Sequence, residues 1–311
     1  MAVNKNGIVV MGAVFVDIKG FPDDVYIPDG RNAGKVEYIH GGVSRNVVED
    51  IANMELRPTF LSIVDESALG DAVVRKLNNH KVNTEYIQSA PNGMGTWLAV
   101  FDNNGDLAGS ISQRPDLMPL LDVLEKKGDE IFANADSIII EVDVDKEIVK
   151  KVVELCEKHQ KKLYGVVSNM SIAVERRDFL QKFDCFICNQ LEAGMFFADD
   201  FSETAPKELA EILAKKLQIA KIPSMVVTMG GAGSVYADMK GKKGFCPAKK
   251  VQVKDTTGAG DAFCAGVSSG LTYGKTLAES VEIGTRLAAS VITSSENVCP
   301  RFLPGELGIE A

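Results

Sequence analysis

The sequence predicts an α/β fold: a doubly wound, mostly parallel β-sheet with helices on both faces, plus a small β-sheet lid. From about residue 120 onwards, short apolar segments alternate with amphipathic ones, which is typical of strands and helices in turn. Continuous apolar strands are buried on both faces and favour a parallel sheet between two helical layers. The predicted elements are strands 137–141, 163–167, 183–188 and 224–228 and helices 146–159, 206–218 and 276–293.

The N-terminal part of the chain adds further strands and the predicted lid. Apolar segments at 8–11 and 59–64 read as strands, and helical patterns follow each of them. A Pro- and Gly-rich loop leads into a short strand near residue 36, and an Asn-Asn-Gly-Asp turn at 103–106 divides a β-rich stretch into a hairpin. We expect a single domain over residues 1–311, with a β lid built from about 18–40 and 95–112.

Composition restricts the classes of partner. The 311 residues are 45% hydrophobic and 25% charged, which suits one large core. With 34 basic and 43 acidic residues the net charge is -9, and no Lys or Arg cluster stands out. Nucleic acid and anionic membranes are therefore not expected as partners. No basic leader or long apolar segment is present, so we expect a soluble, cytoplasmic protein.

The cysteines and histidines offer little material for a metal centre. Cys185 and Cys188 form a CxxC pair, but they lie in an apolar stretch that reads as a buried strand. No second pair completes a zinc site, and the three histidines are scattered without metal-ligand spacing. We expect the six cysteines to be reduced thiols.

The most informative stretch is Asp-Thr-Thr-Gly-Ala-Gly-Asp-Ala-Phe at 255–263. It follows an apolar alternation at Val251 and Val253, which predicts a strand, a tight turn and the start of a helix. Gly258 and Gly260 let the main chain approach a ligand, and the first amides of a helix bind anions such as phosphate. Asp261 in that turn is placed to take a proton from a hydroxyl group that attacks a phosphoryl group.

Several N-terminal residues are candidates for contact with a ligand. Asp17 follows the first strand and could bind neighbouring hydroxyl groups, although a surface turn residue is the simpler interpretation. Gly41 and Gly42 precede a helix and either allow backbone contact with a ligand or merely begin the helix. Arg45 and Asn46 lie in its first turn, where a cation disfavours the helix dipole, so Arg45 is expected to face a ligand.

Two further motifs follow the C-terminal strands. Asn189 and Glu192 form a capping-box pattern, which needs no function, but Glu192 could also lie near a metal and a phosphate. After Thr228, Gly230 and Gly233 make a turn that could pass close to a nucleotide or simply join two strands of a hairpin.

Taken together, these motifs resemble the PfkB family, the ribokinase-like sugar and nucleoside kinases. The stretch 255–261 resembles its C-terminal signature. Three further motifs resemble those of the family and occur in the same order along the chain. They are the glycine pair Gly41–Gly42 with Asn46, the NxxE element Asn189 with Glu192, and the nucleotide loop Thr228, Gly230 and Gly233. The resemblance implies an enzyme that transfers a phosphoryl group from ATP to an alcohol group.

The resemblance also implies catalytic and metal roles. Asp261 would be the catalytic base, and Gly258, Ala259 and Gly260 would form the anion hole for the transferred group. Glu192 would help to place Mg²⁺ without binding it directly. Asp255 and Thr257 match the positions near which many family members bind a monovalent cation such as K⁺.

Binding roles follow in the same way. The ATP site would comprise Asn189, Glu192, Thr228, Gly230 and Gly233. The acceptor, a small sugar or nucleoside, would be held under the lid by Asp17, Gly41, Gly42, Arg45 and Asn46. A homodimer through the exposed edges of the lid is an accompanying expectation.

The subgroup is indicated by two segments. Val43 and Arg45 after the glycine pair, and the tail 294–300, resemble the pseudouridine kinases, whereas 166–169 departs from the expected Asp-Pro-Val-Ser. Pseudouridine is the first expectation for the acceptor, and a ribokinase- or fructokinase-type enzyme is the alternative. A non-catalytic sugar- or nucleotide-binding regulator is a third, although such a protein would not need Asp261.

Overall fold

The computed structural model describes residues 5–310. In this part of the chain the strands are β1 Ile8–Met11, β2 Phe15–Pro22, β3 Gly34–Gly41, β4 Thr59–Val64, β5 Ile87–Ser89, β6 Gly95–Phe101, β7 Leu107–Gln113, β8 Ser137–Glu141, β9 Lys162–Val166, β10 Cys185–Asn189, β11 Ser224–Thr228, β12 Ser234–Asp238 and β13 Lys243–Cys246. The helices are α1 Val43–Asn53, α2 Ala68–Asn79, α3 Pro119–Ala133, α4 Lys146–His159, α5 Met170–Ala173, α6 Arg177–Leu180, α7 Gln190–Phe197, α8 Pro206–Ala220, α9 Ala259–Thr272 and α10 Leu277–Val291.

The main sheet has nine strands in the order β13-β12-β11-β10-β9-β8-β1-β4-β5. The pairs from β11 to β5 are parallel, and only β12 and β13 add antiparallel pairs at one edge. The carboxyl ends of the parallel strands therefore meet along one rim, where ligands bind in sheets of this kind.

Two apolar layers cover the sheet. Side chains of β8 alternate between them, since Ile138 and Ile140 belong to the layer that contains α3, α4 and α8, whereas Ile139 belongs to the layer that contains α1, α9 and α10. All five residues of β8 are buried, as continuous apolar strands between two helical layers should be. The predicted doubly wound, mostly parallel fold is confirmed.

A second sheet of four strands lies apart from the first, in the order β3-β2-β6-β7. β2 pairs antiparallel with β3 and parallel with β6, and β6 and β7 form the predicted hairpin, in which Gly105 has φ 86°. The strands run over 15–41 and 95–113, slightly more than the predicted lid. Its role as a lid and as a dimer surface stays a prediction.

The prediction of a strand before the 255–263 motif is wrong. β13 is the edge strand and ends at Cys246, and the following residues up to Gly258 pair with no strand in the described chain. Val251 and Val253 are exposed, so their alternation does not reflect a buried sheet face. An extended segment leads into α9, and the Lys254 N–H donates to the Ile292 carbonyl at 2.8 Å.

The cysteine prediction is confirmed. All six cysteines are free, and Cys185 and Cys188 are buried on β10. Within residues 5–310, no helix combines the length and the apolarity that crossing a bilayer requires.

Candidate functional site

A cleft of about 670 Å³ opens at the carboxyl ends of β1, β8 and β9, beneath the small sheet. The residues that line it include several of the predicted site residues, namely Asp17, Gly41, Gly42, Asn46, Thr257 and Asp261. From the sequence, no site role had been assigned to the remaining polar residues of the lining, although the segments 166–169 and 294–300 had been noted. These residues include Ser112, Arg114, Glu141, Asp143, Ser168, Asn169, Arg176 and Asn297.

Asp261 and Asn46 are in direct contact. Asn46 Nδ2 donates to Asp261 Oδ2 at 2.7 Å, which joins the first turn of α1 to the first turn of α9. Burial raises the pKa of Asp261 to about 7, although the Asn46 hydrogen bond and the charge of Arg45 oppose the rise. A carboxyl group with this pKa is both ionised and basic enough near neutral pH to act as a general base.

The turn before Asp261 requires glycine at one position and leaves open space at another. Gly258 has φ 80°, and a Cβ there would overlap the carbonyl oxygen of Asn297. A Cβ at Gly260 would meet no heavy atom within 4 Å, so the space in front of α9 is free for a ligand.

The amides of this turn bear on the predicted anion hole, which stays a prediction. The Ala259 N–H donates to the Thr256 carbonyl at 3.2 Å and is therefore already used within the turn. The N–H groups of Gly260 and Asp261 find no acceptor among residues 5–310. The Gly258 N–H has no acceptor in this part of the chain either, so Gly258 and Gly260 keep free amides from the predicted set, Asp261 adds one, and only the Ala259 amide is already used.

The N-terminal glycine pair brings the chain close to Asp17. Gly42 has φ 98°, and a Cβ there would lie 2.6 Å from the Ala13 carbonyl oxygen. A Cβ at Gly41 would lie 3.1 Å from Asp17 Oδ2, so the carboxylate rests over the bare backbone. Burial raises the pKa of Asp17 against the effects of Lys19 and Arg45. Asp17 is therefore a cleft residue on β2 and not a surface turn residue.

Arg45 does not face the cleft, which corrects the prediction from the helix dipole. Its side chain is 1% exposed, and its Nη1 lies 2.6 Å from Glu49 Oε2, one turn along α1. Nε donates to the Gly41 carbonyl at 3.4 Å, and Nη2 donates to the carbonyl of His40. Burial alone would raise the pKa of Glu49, but Arg45 and Lys76 outweigh it and lower the pKa. Arg45 thus fixes the β3–α1 junction from inside.

Glu141 is a functional candidate that the sequence analysis missed. It ends β8, and its Oε2 accepts from the Ala13 N–H at 3.1 Å and from the Ser44 hydroxyl at 2.9 Å. Burial raises its pKa to about 7, and the nearby Asp143 adds to the rise. The signal was present, because a carboxylate at the carboxyl end of a buried parallel strand lies where such sheets bind ligands.

Asp143 connects three parts of the cleft wall. Its Oδ1 accepts from the Ser168 N–H at 2.9 Å, and its Oδ2 accepts from the Ser168 hydroxyl at 2.7 Å. Arg114 Nη2 donates to the Asp143 carbonyl at 3.0 Å. Ser168 lies within the segment that departs from the expected Asp-Pro-Val-Ser pattern, so this departure provides a contact in the wall.

The C-terminal tail closes the same region. Asn297 Nδ2 donates to the His40 carbonyl at 3.0 Å and lies 3.4 Å from Asn46 Oδ1. The Cys299 N–H donates to Asp50 Oδ1 at 2.6 Å, and burial raises the pKa of Asp50 well above its usual range. The tail therefore holds α1 in place on the side where Asn46 meets Asp261.

The predicted ATP residues lie on the same rim but outside the lining of this cleft. Asn189 and Glu192 form the predicted capping box, with Oδ1 of Asn189 accepting from the Glu192 N–H at 2.9 Å and Glu192 Oε2 accepting from the Asn189 N–H at 2.7 Å. Asn189 is paired with Thr228 across β10 and β11. Gly230 and Gly233, with φ 54° and 106°, form the turn after β11.

The candidate metal ligands form no metal cage. Among the described residues, no group of three or more His, Cys, Asp or Glu side chains could hold an ion. Asp255 Oδ1 accepts from the Thr257 N–H at 2.8 Å, and this hydrogen bond lowers the pKa of Asp255. Burial, followed by Asp143, raises the pKa of Glu192, although the Asn189 hydrogen bonds oppose it.

The buried position of Arg45 generates a stability prediction. Arg45→Ala should lower the free energy of unfolding by about 3–5 kcal/mol, because it leaves the Glu49 carboxylate buried with one partner fewer. Urea denaturation would measure the change, with Arg75→Ala on the exposed face of α2 as the control. Unchanged stability in the Arg45 variant would contradict the structural role and support a ligand contact instead.

Comparisons with known proteins agree with this geometry. Residues 5–299 match the model of the pfkB family carbohydrate kinases. The chain is 35% identical to a guanosine-inosine kinase of Exiguobacterium acetylicum over 294 residues, covering 94% of this chain and 96% of the relative. It is 24% identical to the pseudouridine kinase of Escherichia coli strain K12 over 278 residues, covering 89% and 87%.

Solved structures show the same fold. Arabidopsis thaliana ribokinase, whose structure is complexed with ribose and ATP, superposes with a TM-score of 0.84 at 19% identity, covering 98% of this chain and 99% of that one. A putative sugar kinase from Clostridium perfringens gives 0.81 at 23% identity, covering 97% and 94%. The chain therefore belongs to the PfkB family of carbohydrate kinases and is a sugar or nucleoside kinase with a ribokinase-like fold.

Proposed function

We propose that this kinase transfers the γ-phosphoryl group of ATP to a hydroxyl group on the ribosyl part of a nucleoside, with guanosine and inosine as the favoured acceptors. The Asp261–Asn46 pair carries the proposal of phosphoryl transfer, because it places a carboxyl group of pKa about 7 at the start of α9, beside free amide donors. The choice of nucleoside rests on the 35% identity to a guanosine-inosine kinase over nearly the whole chain.

In the proposed reaction, Asp261 accepts the proton of the acceptor hydroxyl while the hydroxyl oxygen forms a bond to the γ-phosphorus. The bond between the γ-phosphorus and the bridging oxygen breaks at the same time, and ADP leaves. The N–H groups of Gly260 and Asp261 and the dipole of α9 stabilise negative charge on the transferred group. The protein's contribution is therefore to position the two reactants and to remove one proton.

The ribosyl group would bind between the two sheets. Asp17 from the small sheet and Glu141 from the main sheet both line the cleft, and carboxylates accept hydrogen bonds from sugar hydroxyls. Glu141 is held by the Ala13 N–H and by the Ser44 hydroxyl, so its orientation is fixed before a ligand arrives.

ATP would lie along the rim beside this cleft. The turn after β11 offers bare backbone, since a Cβ at Gly230 would meet no heavy atom within 4 Å, and Asn189 and Thr228 stand side by side next to it. Gly233 is confined by its own chain, because a Cβ there would overlap the Cys246 carbonyl, so we assign it to turn geometry and not to nucleotide contact.

Magnesium fits this site only as an ion shared with phosphates. Mg²⁺ is commonly bound through one or two carboxylates together with phosphate oxygens and water, which agrees with the lack of a protein cage among the described residues. Glu192 would hold it, through water, and the ion would neutralise charge on the phosphates. A K⁺ ion near Asp255 and Thr257 stays a proposal that rests on the family resemblance of these two residues.

Pseudouridine is the second candidate acceptor. The tail segment that resembles the pseudouridine kinases is part of the site, because Asn297 reaches the His40 carbonyl and lies near Asn46. The 24% identity to the Escherichia coli pseudouridine kinase supports it less strongly than the 35% identity supports a purine nucleoside.

We also propose that the whole chain forms one domain with the small sheet as its lid. Asp17, Trp97 and Ser112 of this sheet line the cleft, so closure of the sheet would exclude water from the reaction. Val36 and Tyr38 leave apolar surface exposed on β3, which supports the expected homodimer through the lid. The cytoplasmic location stays a prediction.

The first prediction of the proposal concerns the acceptor. In the presence of ATP and Mg²⁺, kcat/KM for guanosine and inosine should exceed that for pseudouridine, ribose and fructose by about tenfold or more, because specific base contacts discriminate by about this factor. ADP release, with mass spectrometry of the products, would measure it. Pseudouridine as the best acceptor would favour the second candidate, and ligand binding without phosphoryl transfer would overturn the kinase reaction.

The second prediction concerns pH. Asn46 stabilises the ionised form of Asp261, so Asn46→Ala should raise the pKa of Asp261 further above about 7. Because the base must be ionised, the acid limb of the kcat/KM profile should move to higher pH, and activity lost at neutral pH should partly return in alkali. Asn79→Ala on exposed α2 is the control. A uniform loss of activity with an unmoved limb would contradict the role of Asn46.

A further inference from the structure

Arg114 is a cationic side chain in the cleft that the proposed transfer of phosphate does not use. It follows β7 directly, where the small sheet returns to the main domain before α3. Nη2 donates to the Asp143 carbonyl at 3.0 Å and lies 3.5 Å from Asp143 Oδ2. Nε and Nη1 have no acceptor among the described residues, and 49% of the side chain is exposed. Several guanidinium donors are therefore available to a ligand.

Asp143 holds this guanidinium in place without offering a free carboxylate to the ligand. Its side chain is 0% exposed, and both carboxylate oxygens accept from Ser168. The backbone carbonyl of Asp143, which accepts the shorter bond from Arg114, lies two residues after the end of β8. Arg114 is thus anchored to the main sheet, while its chain position belongs to the small sheet.

The small sheet also places an aromatic ring in the wall of this cleft. Trp97 on β6 stands opposite Ser112 on β7, and both line the cleft. Arg114, two residues beyond Ser112, lines the same cleft. Ile172 contributes apolar surface from the other wall. The cleft therefore offers a flat apolar contact with a cationic edge, which suits a planar heterocycle that bears hydrogen-bond acceptors.

We propose that Arg114 reads the base of the nucleoside by donating hydrogen bonds to O6 and N7 of a 6-oxopurine, with Trp97 packed near the face of the base. Guanine and hypoxanthine carry these two neighbouring acceptors, and an Arg fork matches them in geometry. Adenine presents an amino group at position 6, which would face a guanidinium that has donors only. Asp143 is a positioning residue for Arg114.

This inference rests on the proposed nucleoside kinase activity, and the experiment separates the two. The acceptors are inosine, adenosine, purine riboside, which lacks the 6-substituent, and ribose, which lacks the base. Arg114→Ala should lower kcat/KM for inosine by about 10- to 100-fold, mainly through KM, because the charged donors to O6 and N7 are lost. The value for ribose should change by no more than about threefold. The value for purine riboside, which keeps N7 but lacks O6, should fall by less than the value for inosine, and Arg114→Lys should restore part of the inosine value because it keeps a cation.

Controls and contrary outcomes are defined by the same panel. Arg31→Ala, in the exposed β2–β3 loop of the small sheet, should leave all values unchanged. An equal loss of kcat/KM for all acceptors in Arg114→Ala would show that Arg114 only connects the small sheet to Asp143, and would overturn base recognition. An unchanged kcat/KM for inosine would overturn it as well. Failure of the unaltered enzyme to phosphorylate any nucleoside, with ribose or fructose turned over instead, would overturn the proposed function itself.

Discussion

The hydrogen bond between Asn46 and Asp261 is the contact on which the site depends. It joins two helix N-termini that are 215 residues apart in the chain, and it exists only because α1 and α9 pack on the same face of the main sheet. Gly42 and Gly258 begin these helices with positive φ angles, which brings each first turn into the cleft. Asn297 lies beside the pair, so the tail contributes to the geometry of the reactive carboxylate.

A second constraint is the amount of negative charge collected at the strand ends. Asp17, Glu141 and Asp261 all line the cleft, and burial raises the pKa of each. Buried carboxylates are costly unless hydrogen bonds or cations compensate them. For Asp261, the hydrogen bond from Asn46 and the positive charge of the buried Arg45 guanidinium partly compensate the cost of burial. The same cost keeps Asp261 basic, since a fully solvated carboxylate would have too low a pKa to accept a proton efficiently.

The sequence predicted what is encoded locally, and it missed what depends on contacts distant in the chain. The alternation of apolar strands with amphipathic helices was enough for the fold class, and the glycines were enough for the turn before α9, whereas the alternation at Val251 and Val253 predicted a strand that is not there. The interpretation of Arg45 failed because it considered only the helix dipole, although Glu49 one turn later was a visible partner. Glu141 could have been predicted from its place at the end of a buried strand, whereas its contacts with Ala13 and Ser44, 128 and 97 residues away, could not.

The central claim, that Asp261 removes the proton of the acceptor hydroxyl, is tested most directly by rapid-quench single-turnover measurement of phosphoryl transfer to inosine in Asp261→Asn. The account predicts that the chemical step slows by about 10²- to 10⁴-fold, because general base catalysis is lost while the shape is kept. Nucleoside affinity should change little. Asp71→Asn, in the first turn of α2, controls for loss of charge at a helix start. A chemical step as fast as in the unaltered enzyme would contradict the assignment of Asp261 as the base.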